Sequence, residues 1–236
     1  MTIASEITRI QNNISSAYTA CTNKGVTLPS TQNSANLATC INSINAEVTL
    51  TRFKDDSNNV IGTWFCNFID GNGTKYKVIC LDAQYRKASG QWCSMRDTVT
   101  NLPLYANMYS ACPYTAPETA TTNTQLILNY CSAHNYTSSA CTHCRSNSFT
   151  INNTVYYGQL PNLYEVTQIA LNYATLNSMD TTASSYTSLN FGAARDIWSS
   201  TQTTYFNAWC LNKEGYIYYQ QKMANYLTVP VLEIPA

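Results

Sequence analysis

Charge is what this chain has least of. Only 11% of its 236 residues are Asp, Glu, Lys or Arg, and the 13 of each sign cancel. The usual share is about a quarter. Binding to phosphate needs a basic patch that releases counterions, so nucleic acid is not an expected partner. Histidine is scarcer still, with His134 and His143 alone. An acyl-transfer triad needs an imidazole beside a nucleophile and a carboxylate, and beyond His143 there is none to serve one. Glycine numbers only eight, and no Gly-rich phosphate loop occurs. These absences together lead us to expect no enzyme activity and no cofactor. No run reaches the ~18 apolar residues of a membrane span, so no membrane insertion is expected. The opening Met1-Thr-Ile-Ala-Ser-Glu-Ile-Thr-Arg-Ile has no basic n-region, continuous apolar core or small-residue cleavage site, so we do not take it for a secretory signal.

What is present is apolar and neutral-polar. The hydrophobic share is 44%, and polarity comes from Ser, Thr, Asn and 18 Tyr. Rigid amphipathic aromatics among small hydrogen-bonding residues have the chemistry of a paratope, and Tyr and Thr equally favour strands. Ten cysteines would suggest a disulfide scaffold in a secreted chain. With synthesis expected in a reducing cytoplasm, we read them as mostly free, buried thiols, and the sequons at Asn72 and Asn135 then carry no meaning.

Residues 1–24 place Ile3, Ile7, Ile10, Ile14, Ala17 and Cys21 at alternating spacings of four and three, a short heptad seam. Ile at both seam positions favours trimers or tetramers. The alternative is an amphipathic helix lying on its own domain. Lys24-Gly25 is expected to end this helix, and Asn36 to Ile44 to form a second. From Glu47 the period becomes two. Val48–Phe53, Val60–Ile69 and Lys75–Leu81 read as strands, the last two joined by a turn at Asp70-Gly71-Asn72-Gly73. That turn lacks the alternating acidic ligands of a calcium loop. Asn123 to His134 reads as a helix with Leu126, Ile127, Tyr130 and Cys131 on one face. Asn162 and Glu165 have capping-box spacing ahead of a stripe of Val166, Ile169, Ala170, Tyr173 and Leu176. Residues 97–122 and 178–197 read as connections.

Two constellations stand out. Cys131, His134, Cys141 and Cys144 form a thiol–imidazole set of structural-zinc type, although the helix stripe makes Cys131 a natural core residue, so the expectation is no metal. The second is the surface formed by Tyr205, Phe206, Asn207, Trp209, Asn212, Tyr216, Tyr218, Tyr219, Gln221 and Asn225. Its strands follow Ile197-Trp198-Ser199-Ser200-Thr201-Gln202, which we read as a turn. Trp198, Ala208, Cys210 and Ile217 are expected to face inward. Aromatics with small polar residues suit a binding hot spot, and these ten residues are the candidate ligand-binding set.

The order of that terminus, from Trp-Ser-Ser-Thr through Asn207-Ala208-Trp209 to Gly215-Tyr216 and Val229-Pro230-Val231, resembles the C-terminal half of the prokaryotic C-type lectin fold. It is most similar to phage tail proteins and retroelement-diversified variable proteins. Leu160-Pro161-Asn162-Leu163-Tyr164-Glu165 resembles the entry to that fold's second helix. Glu6-Ile7-Thr8-Arg9-Ile10-Gln11, with Lys24-Gly25-Val26-Thr27, resembles the opening of small phage tail proteins. The resemblance implies an α+β, C-type-lectin-like fold behind an N-terminal helical oligomerisation segment. The expected divisions are an attachment segment at 1–46, a β-rich lead-in at 47–95 and a ligand-binding domain at 96–236.

The implied function is a phage or prophage receptor-binding protein in the virion tail, with a surface of the kind that is hypervariable in the retroelement-diversified proteins. Its partners would be a host cell-surface protein or glycan and other tail proteins, and the display would be trimeric. The rival is a structural tail or baseplate subunit without receptor contact. Animal C-type lectins resemble one another in a Glu-Pro-Asn or Gln-Pro-Asp triplet before Trp-Asn-Asp. Here the strand reads Trp209-Cys210-Leu211-Asn212, so no calcium is expected. The related formylglycine-generating oxidases use late paired cysteines, and Cys210 is alone beyond Cys144. Where relatives often end in Val-Arg-Pro-Val, this chain has Thr228-Val229-Pro230-Val231, leaving Glu233 to tie down the last strand.

Overall fold

Strand β2 (Val60–Ile69) lies at the centre of the frame, and its apolar density follows from burial on both faces. The computed structural model describes residues 3–23, 28–37, 50–104, 119–182, 189, 196–212 and 216–236. They fall into two compact units, Met1–Thr49 and Leu50–Ala236. The second is α+β. Its first sheet pairs β1 (Thr51–Lys54), β2, β3 (Lys75–Leu81) and β11 (Val231–Pro235) in the order β1-β2-β3-β11, every pair antiparallel. Alternation sends Val78 and Cys80 to one core, with Phe65, Cys66 and Phe68, and Ile79 and Leu81 to another, with Ile61, Leu232 and Ile234. A register shift between Trp64 and Cys66 lets β2 change which of its residues face each side. The turn after β2 forms at Asp70–Gly73, closed by Gly73 N–H donating to Asp70 O at 3.0 Å, with Gly73 at φ +83°.

The pairing of β3 with β11 joins residues near 78 to residues near 233. Residues 50–95 therefore belong to the same compact unit as the C-terminal strands. The second sheet runs β4 (Lys87–Gln91), β10 (Asn225–Thr228), β7 (Ile197–Gln202), β8 (Asn207–Leu211), β9 (Ile217–Gln221), with β10 and β7 parallel and the other pairs antiparallel. A hairpin of β5 (Ser148–Ile151) and β6 (Thr154–Tyr157) packs Phe149 and Ile151 onto the core of Ile79 and Leu81.

Helix α2 (Ala120–Ala133) starts at the Thr119 cap, three residues earlier than the periodicity places it. Helix α3 (Ser139–Arg145) is capped by Ser138. Helix α4 (Leu163–Met179) opens on the expected capping box, Asn162 accepting from Glu165 N–H and Glu165 from Asn162 N–H. Its Val166, Ile169 and Leu176 are buried in the core shared with Ile197, Leu211 and Leu227. The stretch read as a Trp-Ser-Ser-Thr turn is instead β7, buried along its whole length. Its small hydroxyls are matched from inside: Ser199 Oγ donates to Trp209 O, and Thr201 Oγ accepts from Leu163 N–H. A buried run of Ser and Thr is therefore affordable as strand.

In the N-terminal unit, α1 (Ile3–Asn23) buries Tyr18 and Cys21 with Ile14, Leu28 and Leu37. Tyr18 OH donates to Asn33 O at 2.7 Å. The Ile seam thus divides. Its C-terminal half packs within its own unit, while Ile7 and Ile10 stand 51% and 50% exposed. The expected cap at Lys24-Gly25 lies outside the described residues, as does residue 38 onward of the helix expected at 36–44; residues 34–37 are helical.

Candidate functional site

The turn after β7 carries the most exposed aromatics of the terminal sheet that also touch one another. Thr204 Oγ1 accepts from the N–H groups of Phe206 and Asn207, which leaves Tyr205 and Phe206 pointing outward. Their ring centroids are 3.7 Å apart, and the residues are 51% and 36% exposed. The Arg96 guanidinium lies over the Phe206 ring at 5.4 Å and donates to Gln221 Oε1 at 2.7 Å. Asn207 pairs with Gln221 across β8 and β9, so the turn, β9 and the segment after β4 meet in one pad.

This pad rests on a buried polar support. Lys222 N–H donates to Phe206 O at 3.0 Å. The side chain of Lys222 runs inward, with Nζ donating to Asp97 O and to Gln202 Oε1 and lying 4.6 Å from the Trp92 ring centroid. Gln202, the last residue of β7, donates through Nε2 to Val99 O and Leu102 O, and its Oε1 accepts from Val99 N–H. The segment from Asp97 to Leu102 is thereby clamped. Asp97 also accepts from Tyr130 OH of α2 at 2.6 Å, which lowers the Asp97 pKa and pushes that of Tyr130 up to about 12. Burial lowers the Lys222 ammonium to about 8.

The remaining expected surface residues lie elsewhere. Trp209 is buried against Leu163 and Ile217, because β8 is covered on both faces; it does not reach the surface, and Tyr219 stacks edge-on against it with 54% exposure. Tyr218 is half-buried, its hydroxyl donating to Asp196. Asn212 and Tyr216 meet at the other end of the β8–β9 pair, where Asn212 Oδ1 accepts from Tyr216 N–H. Asn225 is exposed on β10, across from Gln91. Trp198, Ala208 and Cys210 face the core of α2 and α3, while Ile217 packs on the opposite side with Leu163. Composition could not single out Arg96, Gln202 and Lys222. The one sequence signal was a lone lysine among Tyr, Gln and Met.

The thiol–imidazole set is not assembled. Cys131 faces Cys93, His134 is exposed at the end of α2, and Cys141 and Cys144 are buried on α3. His134 stacks against both Tyr130 and Tyr136. His143 meets Tyr85 O at 2.8 Å, and burial lowers its pKa. Among the described residues no group of three or more Cys, His, Asp or Glu is placed to hold a metal, and no helix is long and apolar enough to cross a membrane.

Glu233 does tie down the last strand. Its carboxylate accepts from Ala120 N–H, Thr121 N–H and Thr121 Oγ at the start of α2. Beside it Glu165 is wholly buried, with no donor facing Oε1. Burial first, then the neighbouring Glu233, raises the Glu165 pKa well above the carboxylate range. Burial raises Glu233 as well, against the hydrogen bonds it accepts from Thr121 and Ala120, so the pair favours sharing a proton, with Glu165 the stronger holder. No protein family, curated protein or solved structure matches this chain.

Proposed function

We propose that this chain is a phage or prophage tail-associated receptor-binding protein. In this reading Leu50–Ala236 is a C-type-lectin-like domain that presents the pad of Tyr205, Phe206, Arg96 and Gln221 to a host cell-surface protein or glycan. The observation that carries it is the exposed, close-packed Tyr205–Phe206 pair, with Arg96 over the Phe206 ring, held from below by Gln202 and Lys222. Aromatics whose backbone is already fixed lose little entropy on binding, and Tyr and Arg are among the side chains enriched where interfaces are anchored. Tyr219, Tyr216, Asn207 and Asn225 extend the surface beyond the pad. Exposed Ile7 and Ile10 supply the seam for a trimer, which multiplies weak single contacts.

The rival, a structural tail or baseplate subunit, draws on a different surface: Leu171 on α4 is 73% exposed and Val155 on β6 is 53% exposed. Flow cytometry of the labelled full chain on a panel of bacterial strains separates the two. Receptor binding predicts at least one strain that is stained, with staining lost in Tyr205→Ala and Arg96→Ala and kept in Leu171→Ser. Staining of no strain, or loss in Leu171→Ser alone, would favour the structural subunit.

A further inference from the structure

Eight cysteines are described, and every one is a buried free thiol. Five of them are chemically quiet. Burial raises the thiols of Cys66, Cys80, Cys141, Cys144 and Cys210, which keeps them protonated and poorly nucleophilic. Cys93 differs in geometry and surroundings. Its Sγ lies 3.7 Å from Sγ of Cys131, a residue 38 positions away on α2. The hydrogen bond from Cys131 lowers the Cys93 thiol to about 7, assisted by the backbone N–H of Met95 and the Lys222 ammonium, whereas Cys131 is raised by the same pairing. One sulfur is thus set up as nucleophile, and its neighbour keeps the proton until it is needed.

We propose that Cys93 and Cys131 are an oxidation site at which a hydroperoxide forms a disulfide fastening the Arg96-bearing segment to α2. The chemistry balances in two steps. The Cys93 thiolate attacks one oxygen of hydrogen peroxide; the O–O bond breaks, and the departing hydroxide takes up a proton as water. The resulting sulfenic acid is then attacked by the Cys131 sulfur; the S–O bond breaks, and hydroxide leaves with the Cys131 proton as a second water. Two thiols lose two electrons and one peroxide is reduced to two waters. A small oxidant suits a pair only 1% and 3% exposed. Side-chain rotation has to bring the sulfurs to ~2.05 Å.

The bond would join two elements already tied by Tyr130 OH donating to Asp97. The segment is held to other parts of the chain as well, Cys93 N–H donating to Lys222 O and Ser94 N–H to Thr137 O. Three residues after Cys93, Arg96 covers Phe206. The consequence for binding rests on the receptor-binding reading: the pad would be stiffened once the protein leaves a reducing cytoplasm. The disulfide itself does not depend on that reading.

The test is titration of the folded, reduced full chain with hydrogen peroxide, followed by non-reducing peptide mapping and intact mass. The expected product joins the Cys93 and Cys131 peptides and has lost two hydrogen atoms. In Cys131→Ser the reaction should stop at a sulfenic acid on Cys93 that a dimedone probe traps. The oxidised wild type should melt about 5–10 °C above the reduced form, since the bond closes a long loop. Cys93 left unmodified, Cys93 joined to any other cysteine, or identical melting of the two forms would overturn the proposal. Mapping needs only the wild type, so an unstable variant does not blunt the test. Loss of cell staining with the disulfide intact would count against the receptor reading alone.

Discussion

Glu233 and Lys222 are both buried side chains that tie distant parts of the chain together, yet they are stabilised by different means. Burial raises the Glu233 carboxyl, but backbone N–H groups at the start of α2 converge on it and oppose that rise, while Glu165 beside it is raised further and takes the proton more readily. Helix N-termini favour an anion there. Lys222 is hydrogen-bonded to neutral groups, a carbonyl and an amide oxygen, and lies over an indole face, and burial weakens its ammonium more than Cys93 and Asp97 nearby restore it. The first centre secures the frame, where β11 meets α2. The second secures the surface, where the segment from Cys93 to Leu102 meets the β7–β8 turn. A charge held by convergent dipoles makes a rigid joint, while a charge held by neutral groups makes a support that proton loss can alter.

The largest expected effect breaks the frame. Glu233→Ala leaves Ala120 N–H, Thr121 N–H and the Thr121 hydroxyl without their acceptor, in a buried site, and should destabilise the domain by about 4 kcal/mol in urea denaturation. Next comes the support. The Lys222 pKa is lower folded than unfolded, so the unfolded chain binds more protons between about 8 and the ordinary 10.5. Stability should therefore rise with pH across that window, by about 3 kcal/mol. Lys222→Met should abolish the rise and speed amide exchange at Val99 and Leu102. A rise that survives in the variant would assign the titration to another group.

These centres differ also in how far they could be read in advance. The capping box of Asn162 and Glu165, the Asp70–Gly73 turn and the stripe of α4 were legible because each is decided within a few residues. The exposed aromatic pad was legible in part, through Tyr205, Phe206 and Gln221. Its support was not, because Lys222 reaches Asp97 across 125 positions and Gln202 reaches Val99 across 103. The Ser-Ser-Thr of β7 misled for the same reason. Local propensity reads such residues as a turn, and only the distant Pro161, Leu163 and Trp209 backbones make them a buried strand. Burial of Trp209 likewise depends on α4 arriving from elsewhere in the chain.

A finer comparison separates the two carboxyls. Glu165 has a raised folded pKa, so its contribution is fully present below the unfolded value near 4.5 and is lost as pH rises through the folded one. Glu165→Gln keeps the neutral shape and gives Glu233 an N–H donor in place of the shared proton. It should change stability by less than about 1 kcal/mol at pH 5 and remove the alkaline loss. A variant that melts later than the wild type at neutral pH would mean that both carboxyls are charged there, because the substitution then removes a repulsion.

The smallest expected effect on stability is at the pad. Tyr205 is half exposed, and the ring contact resolved for it is with Phe206, so Tyr205→Ala should shift unfolding by no more than about 0.5 kcal/mol. Its backbone would stay in place, since Thr204 and Lys222 fix the turn through Phe206 and Asn207 rather than through Tyr205. A surface used for recognition should lose its binding with its fold intact, whereas a surface that packs inside an assembly should show the loss as failed assembly instead. Unfolding curves beside cell-staining curves for Tyr205→Ala therefore distinguish a side chain that recognises a partner from one that only holds the molecule together. Unchanged staining with unchanged stability would remove Tyr205 from the binding surface and leave Arg96 and Phe206 to carry it.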